Sequence, residues 1–222
     1  MSSSCLVLGG TGLCGATFLT AAAKCAQIES LYAITRRPLK QATAKVSNIV
    51  DADIDSWDAK VPTADIVFTS LSTTRGNAGS LENQRKIDLD LNVKLLTAAH
   101  DKGANTAVLV SAYGASPSSM LPYFKLKADC EKAVEAIGFE RTIILRPGVL
   151  LGERDGAGNG KLDAIASKLT GCIYNTRLGF LGGTPVKGDD VAAAALHAIQ
   201  TAPKGVTIIE SPQILAISHG NK

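Results

Sequence analysis

The sequence predicts an α/β protein with a doubly wound, parallel β-sheet. Short apolar runs alternate with segments of helical periodicity along most of the chain, and no internal repeat interrupts this alternation. Because the crossovers between parallel strands are right-handed, we expect helices on both faces of the sheet. The runs that are typical of strands are 5–8, 31–35, 46–50, 64–70, 106–111, 141–145 and 206–210.

A glycine-rich turn, Gly9-Gly10-Thr11-Gly12-Leu13-Cys14-Gly15, separates the first of these runs from an alanine-rich segment at 16–26. Glycines permit a sharp turn and a close approach of the backbone to a ligand. The amides that open the next helix favour an anion. A purely structural turn has the same pattern, but strand, turn and helix in this order are typical of a dinucleotide site in a Rossmann-like, NAD(P)-binding fold. The predicted cofactor contacts in the turn are Gly9, Thr11, Gly12, Leu13, Cys14 and Gly15.

Length and composition fit one domain over 1–222 and argue against several functions. The 222 residues are 45% hydrophobic, and the net charge of +3 comes without a basic stripe, so nucleic acid is not an expected partner. Five scattered cysteines without metal or disulfide spacing predict an intracellular protein with reduced thiols. The three histidines are far apart, so no metal site is expected. No apolar run approaches the length of a membrane span, and no charged leader precedes the first strand.

Two arginines, Arg36 and Arg37, follow the second strand about 20 residues after the last glycine of the turn, where an NAD site usually has an acid. A guanidinium can bind a 2′-phosphate with two hydrogen bonds and stack on adenine. We therefore expect NADP(H) rather than NAD(H), the alternative being two solvated arginines at a strand end. Asp53, after the third strand, is placed to reach the adenine edge, although acids in a loop are often only solvated.

A small, polar loop at 71–79 follows the fourth strand. Open parallel sheets bind ligands at the carboxyl ends of their strands. We therefore predict that Leu71 and Thr73 contact the cofactor.

Tyr123 and Lys127 lie four residues apart in a predicted helix, so their side chains share one face. An ammonium group beside a phenol favours the phenolate, so Tyr123 could exchange a proton with a carbonyl or alcohol oxygen while hydride moves at carbon. Ser111, at the end of the fifth strand, would hold that oxygen, and Lys127 would also contact the nicotinamide ribose. The alternative is an amphipathic helix with an interfacial tyrosine and a surface lysine.

The alternation ends after Pro147-Gly148, and we predict a small substrate cap inserted at about 149–186. So short a cap argues against a pocket for a bulky sugar nucleotide.

Together these features resemble the atypical short-chain dehydrogenases/reductases. More closely, they resemble the fungal "found in mitochondrial proteome" family and the animal Tat-interacting oxidoreductase-like proteins. The resemblance covers nearly the whole chain. Its motifs are GGTGLCG at 9–15, TTRGNAG at 73–79, VSAYGA at 110–115, YFKLK at 123–127 and LRPGVLLGER at 145–154.

The resemblance implies the strand order 3-2-1-4-5-6-7, with NADP(H) along the top of the sheet. It implies Ser111, Tyr123 and Lys127 as catalytic residues and Pro147 and Val149 as part of the nicotinamide site. For the fungal branch it also implies peripheral attachment to the mitochondrial outer membrane, with a cytoplasmic location as the alternative.

One departure from the family concerns the serine. Relatives tend to carry two consecutive serines at the end of the fifth strand, whereas this chain has Ala112 after Ser111. Neighbouring strand residues face opposite sides of a sheet. If the second serine is the working one in the relatives, Ser111 could not replace it, and Ser116 or Ser118 would be the alternative. The predicted function is an NADP(H)-dependent oxidoreductase acting on a small carbonyl or alcohol. The alternative is a non-catalytic NADP(H)-binding redox sensor or protein-interaction module.

Overall fold

A computed structural model of the chain describes residues 3–40, 44–152 and 183–220. The strands are β1 (Ser3–Leu8), β2 (Ile28–Thr35), β3 (Val46–Val50), β4 (Ile66–Thr69), β5 (Thr106–Val110), β6 (Arg141–Arg146), β7 (Leu150–Leu151), β8 (Val186–Lys187) and β9 (Gly205–Glu210). The helices are α1 (Leu13–Lys24), α2 (Trp57–Lys60), α3 (Arg75–Ala78), α4 (Leu81–Arg85), α5 (Asn92–Asp101), α6 (Pro122–Ile137), α7 (Gly188–Thr201) and α8 (Ser211–Ser218).

Seven strands form one parallel sheet in the order β3-β2-β1-β4-β5-β6-β9. This confirms the predicted fold class and strand order, with β9 as the seventh strand. The order reverses between β1 and β4, and such a switch point is where open α/β sheets bind ligands. The glycine turn after β1 and the 71–79 loop after β4 both lie there.

The central strands of the sheet are buried on both faces, and alternate residues of each strand point to opposite sides. On one side, Val7 of β1 packs in a cluster with Phe18 of α1 and Val191 of α7. On the other side, Leu6 of β1 packs with residues of α5 and α6, including Leu95. The near-continuous apolar strands of the sequence follow from this double coverage.

An aromatic stack fixes α1 against the sheet. The rings of Phe18 and Phe68 lie 3.9 Å apart at an interplanar angle of 4°, and both side chains are fully buried. Since Phe68 belongs to β4, this contact holds the helix that follows the glycine turn beside the switch point.

The apolar residues of 82–102 recur with helical spacing, and the helix that this pattern predicts is present but not uniform. Between α4 and α5 the chain follows a π-helix, Lys86–Leu91. A π-segment shifts the side-chain phase of a helix, and such segments are frequent at functional sites. The predicted strand ends differ by up to three residues, the largest difference being at the start of β2, and Ser111 follows β5 rather than ending it.

Most of the predicted cap, from 153 to 182, lies outside the described residues, so the cap and the single-domain boundary stay predictions. The strands β7 and β8, which lie at the two ends of the predicted cap, form a short parallel pair. Among the described helices, none combines the length and the apolar character that crossing a membrane requires.

Candidate cofactor and catalytic site

The glycine turn is a tight bend built against its own backbone. Gly9 adopts φ +81°, a conformation that favours glycine, and its carbonyl accepts a hydrogen bond of 2.9 Å from the amide of Gly12. A Cβ on Gly15 would lie 2.1 Å from the Gly9 carbonyl oxygen. The Gly9 carbonyl and the first turn of α1 are therefore so close that only a glycine fits at position 15.

The start of α1 fits a phosphate group. Gly12 is the N-cap residue, and as a glycine it has no side chain to accept a hydrogen bond from the first turn. The helix dipole at this end favours negative charge. Thr11 and Gly12 are exposed, Leu13 is half-buried, and Cys14 and Gly15 are buried. The predicted contacts in the turn thus surround one open helix N-terminus.

Arg36 and Arg37 are exposed and directly follow β2. Asn48 of β3 fixes this segment, because its Oδ1 accepts from the backbone amide of Leu39 at 3.1 Å and its Nδ2 donates to Thr35 Oγ1 at 2.8 Å. Asn48 was not predicted as a site residue; its polar side chain within an apolar strand was the available signal.

A cavity of about 490 Å³ lies between this segment and the glycine turn. Thr11, Arg37 and Lys40 line it, together with the exposed side of α1 and Asp189. Two cationic side chains beside an open helix N-terminus suit a group that carries a phosphate.

The two acids after β3 have different surroundings. Asp51 accepts hydrogen bonds from Lys60, Ser56 and the backbone amide of Asp53, and these lower its pKa to about 2. Asp53 is exposed and accepts from the amide of Asp55 at 3.1 Å. Asp53 therefore lies at the surface beyond β3, where its predicted contact with adenine stays a prediction.

The 71–79 loop is held by polar residues of the next helical segment, which the sequence reasoning missed. Asn92 Nδ2 donates to the Leu71 carbonyl at 3.0 Å, the Thr73 amide donates to Asp88 Oδ1 at 2.6 Å, and Gln84 Nε2 donates to the Thr73 carbonyl at 3.1 Å. These three polar side chains are buried and recur every fourth residue, at 84, 88 and 92. Polar residues on the inner face of a predicted helix were the signal that could have revealed them.

Tyr123 and Lys127 share one face of α6, as predicted. Tyr123 is 40% exposed, whereas Lys127 is only 5% exposed, and Lys127 Nζ lies 5.8 Å from the centre of the Tyr123 ring. Burial of Lys127 argues against the alternative of a surface lysine on an amphipathic helix. Its ammonium also contacts Ser72 Oγ at 3.0 Å and Asp88 Oδ2 at 3.3 Å.

Ser111 is buried directly after β5, and its backbone amide donates to the Leu145 carbonyl at 2.8 Å. Its hydroxyl is buried and has no hydrogen-bond partner among the described residues. The alternative serines, Ser116 and Ser118, bond to each other at 2.9 Å between their hydroxyls. Ser111 thus has the hydroxyl that a ligand could satisfy, although no hydrogen bond joins it to Tyr123.

The segment after β6 is anchored by backbone contacts. The Pro147 carbonyl accepts from the Tyr113 amide at 2.8 Å, and the Val149 carbonyl accepts from the Val186 amide at 3.1 Å. A Cβ on Gly148 would lie 2.3 Å from the Thr184 carbonyl oxygen. Pro147 and Val149, which were predicted to line the nicotinamide, are therefore held in place between β6 and the residues that return to α7.

Comparison with known proteins identifies the class. The profile of a family described as NAD(P)H-binding matches residues 9–202, so the chain belongs to this NAD(P)H-binding family. Similar solved structures include MoeE5 in complex with UDP-glucose and NAD (TM-score 0.71, 17% identity, covering 99% of this chain and 82% of that one). Another is a short-chain dehydrogenase family protein from Francisella tularensis (TM-score 0.68, 12% identity, covering 97% and 100%). At these identities the likeness shows the fold.

Within that class, several similar curated proteins are fungal and share one name. "Protein FMP52, mitochondrial" of Eremothecium gossypii is 45% identical over 214 residues, which cover 96% of each chain. The protein of the same name from Saccharomyces cerevisiae is 44% identical over 223 residues, covering 96% of this chain and 95% of the relative. The chain therefore belongs to the FMP52 family, which confirms the resemblance to the fungal mitochondrial-proteome proteins.

Proposed function

We propose that the protein is an NADP(H)-dependent oxidoreductase that reduces a small carbonyl compound or oxidises the corresponding alcohol. The observation that carries this proposal is the pairing on α6 of an exposed phenol, Tyr123, with a buried ammonium group, Lys127. A buried lysine that served only the fold would not need a solvent-accessible tyrosine one turn earlier on the same face.

The cofactor would lie across the switch point, with its pyrophosphate at the start of α1. The preference for NADP(H) rests on Arg36 and Arg37 and on the cavity that Arg37 and Lys40 line. A 2′-phosphate there would receive charge-assisted hydrogen bonds, which a 2′-hydroxyl cannot match in strength. When bound, the nicotinamide supplies or accepts hydride.

Residues of the chain would transfer the proton and bind the substrate oxygen. Tyr123 donates its phenolic proton to the carbonyl oxygen during reduction and takes one from the alcohol during oxidation. Lys127 places a positive charge 5.8 Å from the centre of the Tyr123 ring, where it would stabilise the negative charge that develops as the proton leaves. Ser111 donates a hydrogen bond to the same oxygen, which would satisfy a buried hydroxyl that has no partner in the part of the chain that the structure describes.

The relatives are named mitochondrial, and we propose a mitochondrial location for this chain, with peripheral attachment to the outer membrane. Fractionation of cells that express the full chain tests this. Recovery in the mitochondrial pellet and release by alkaline carbonate are expected, and recovery in the soluble fraction alone would contradict it.

The catalytic role is tested with purified full-length protein, NADPH and a panel of small aldehydes and ketones, by following absorbance at the nicotinamide band. We expect Tyr123→Phe to lower turnover by about 100-fold or more, because general acid catalysis contributes on this scale, while NADPH binding is retained. Tyr32→Phe is the matched control, since Tyr32 belongs to β2 and packs in the core.

Full turnover by Tyr123→Phe would remove Tyr123 from the mechanism. Tight NADPH binding without turnover of any carbonyl by the wild-type protein would instead favour the redox sensor. Turnover by the wild-type protein therefore distinguishes the oxidoreductase from the non-catalytic, NADP(H)-binding alternative.

A further inference from the structure

Beneath the catalytic face of α6 lies a buried carboxylate, that of Asp88, for which the proposed reaction has no direct use. The residue is 0% exposed. Its Oδ2 lies 3.3 Å from Lys127 Nζ and accepts a hydrogen bond of 2.7 Å from Ser72 Oγ, while its Oδ1 accepts from the Thr73 amide at 2.6 Å. Both oxygens are therefore occupied, one by the lysine and Ser72 and the other by the loop after β4.

The position of Asp88 depends on the π-helix at Lys86–Leu91. Asn92 fixes the end of this segment, because its Nδ2 donates to the carbonyls of Asp88 and Ile87 at 3.2 Å each and to the Leu71 carbonyl at 3.0 Å. Asn92 Oδ1 in turn accepts from Thr69 Oγ1 at 2.6 Å. The segment that carries Asp88 is thus bonded to the end of β4 and to the loop that follows it.

Ser72 completes the connection between the two groups. Its hydroxyl accepts from Lys127 Nζ at 3.0 Å and donates to Asp88 at 2.7 Å. Ser72 is exposed, whereas Lys127 and Asp88 are buried. The ammonium therefore contacts one buried charge and one hydroxyl at the mouth of the site.

We propose that Asp88 is a positioning residue for Lys127. Its carboxylate holds the ammonium beneath Tyr123 and ties it to the Ser72–Thr73 loop, so that the cofactor-side loop and the catalytic helix keep one relative position. This inference rests on the proposed oxidoreductase function for its effect on rate, but the contact itself can be tested without turnover.

The physical reason is that a buried ammonium group without a counter-charge is costly and relocates toward water. In Asp88→Asn the carboxamide keeps the size of the side chain and loses the negative charge. Lys127 would then lose its ion pair, and its Nζ would no longer be fixed relative to the phenol. A misplacement of about 1 Å in a catalytic group can lower a rate by about 100-fold.

The first test compares Asp88→Asn with Asp90→Asn. Asp90 lies on the same π-segment, but its side chain is 56% exposed and approaches Arg85 only at 3.9 Å. We expect kcat of Asp88→Asn to fall by about 10- to 100-fold, and the Kd for NADPH, measured by fluorescence, to rise by a smaller factor, because Lys127 and Thr73 are also predicted cofactor contacts. Asp90→Asn should match the wild type in both quantities. Wild-type kcat in a folded Asp88→Asn protein would overturn the proposal.

A double-mutant comparison separates positioning from a general loss of structure. If Asp88 acts through Lys127, Asp88→Asn should lower kcat no further in a Lys127→Met background, because the group it positions is gone. A further drop of about 10-fold in the double variant would show that Asp88 acts independently of Lys127. This comparison also applies if Asp88→Asn alone does not fold, since replacing both members of a buried ion pair is often tolerated.

Reductive methylation of the protein without cofactor, read by mass spectrometry, tests the contact when no activity is available. Lys127 should be labelled faster in Asp88→Asn than in the wild type or in Asp90→Asn, relative to the exposed Lys125. Equal labelling of Lys127 in all three proteins would overturn the proposal. Absence of NADPH binding and turnover in the wild type would contradict the proposed function alone and leave the labelling test decisive.

Discussion

Replacing glycines of the turn one at a time should separate its packing role from its ligand-binding role. Gly15 and Gly12 lie in the same turn and differ in what an added Cβ would meet. At Gly15 the nearest atoms are the Gly9 carbonyl oxygen at 2.1 Å and the Gly9 carbonyl carbon at 2.6 Å. At Gly12 the Gly9 oxygen, at 3.3 Å, is the only neighbour within 4 Å among the described residues.

These distances set the expected stabilities. The atoms near Gly15 belong to the backbone and cannot rotate away, so Gly15→Ala should cost about 3 kcal/mol, the upper end of the usual overpacking range. For a chain of this length, about 1 kcal/mol changes Tm by roughly 2–4 °C, which gives a decrease of about 6–12 °C. Gly12 has φ −85°, which any residue adopts, so Gly12→Ala should change the free energy of unfolding by only about 0.5 kcal/mol.

Cofactor binding should respond differently from stability. Gly12 is exposed at the N-cap of α1, and an added Cβ would meet the Gly9 oxygen at 3.3 Å, a much milder contact than at Gly15, so we attribute its lack of a side chain mainly to the approach of a ligand. We expect both variants to bind NADPH at least about 10-fold more weakly, a loss of about 1.4 kcal/mol, although only Gly15→Ala loses stability.

The assay is thermal unfolding by circular dichroism together with titration of NADPH by fluorescence. A Tm for Gly15→Ala within about 2 °C of the wild type would refute the packing argument. Unchanged NADPH affinity in Gly12→Ala would show that the turn is structural and does not hold the cofactor.

Three further predictions concern other parts of the molecule. The double variant Arg36→Ala/Arg37→Ala should weaken NADPH binding by about 10- to 100-fold and NADH binding little, and equal losses for both cofactors in parallel titrations would argue against a 2′-phosphate contact. Hydrogen bonds from the backbone amide and hydroxyl of Ser4 hold the pKa of Asp65 below its ordinary value. The stability that this carboxylate contributes is therefore complete above the ordinary pKa of an aspartate and is lost as the pH falls through the lower, folded-state pKa. Urea unfolding of Asp65→Asn between neutral pH and about pH 3 should therefore show a smaller loss of stability than the wild type, and identical pH profiles would contradict this. Phe18→Ala removes a fully buried ring from its aromatic stack and should cost about 3–5 kcal/mol in urea unfolding, whereas a cost below about 1 kcal/mol would mean that α1 is fixed by other contacts.

The fold could be predicted almost completely because its signals are local. The apolar strands and the glycine turn each depend on a few neighbouring residues, and Gly103, which ends the helical pattern at 82–102, adopts positive φ. The π-helix at Lys86–Leu91 could not be predicted, because it arises from long-range contacts of Asn92 with β4 and the following loop.

The candidate site was predictable only in part, for a similar reason. Tyr123 and Lys127 could be proposed from their spacing, whereas Asp88 meets Lys127 only after two separate helices pack together. Its charge also suggested a solvated residue, since carboxylates are seldom fully buried unless they are paired. The choice among Ser111, Ser116 and Ser118 depends on burial, and the structure favours Ser111 because its hydroxyl is buried without a partner among the described residues.

Isothermal titration calorimetry of the purified full-length chain with NADPH, and separately with NADH in the same buffer, is the most direct test of cofactor use. The arrangement of the glycine turn and of Arg36 and Arg37 predicts saturable binding of NADPH at one site per chain and weaker binding of NADH. Tighter binding of NADH would contradict the 2′-phosphate contact. Binding of neither cofactor to the folded protein would contradict the proposed oxidoreductase function itself.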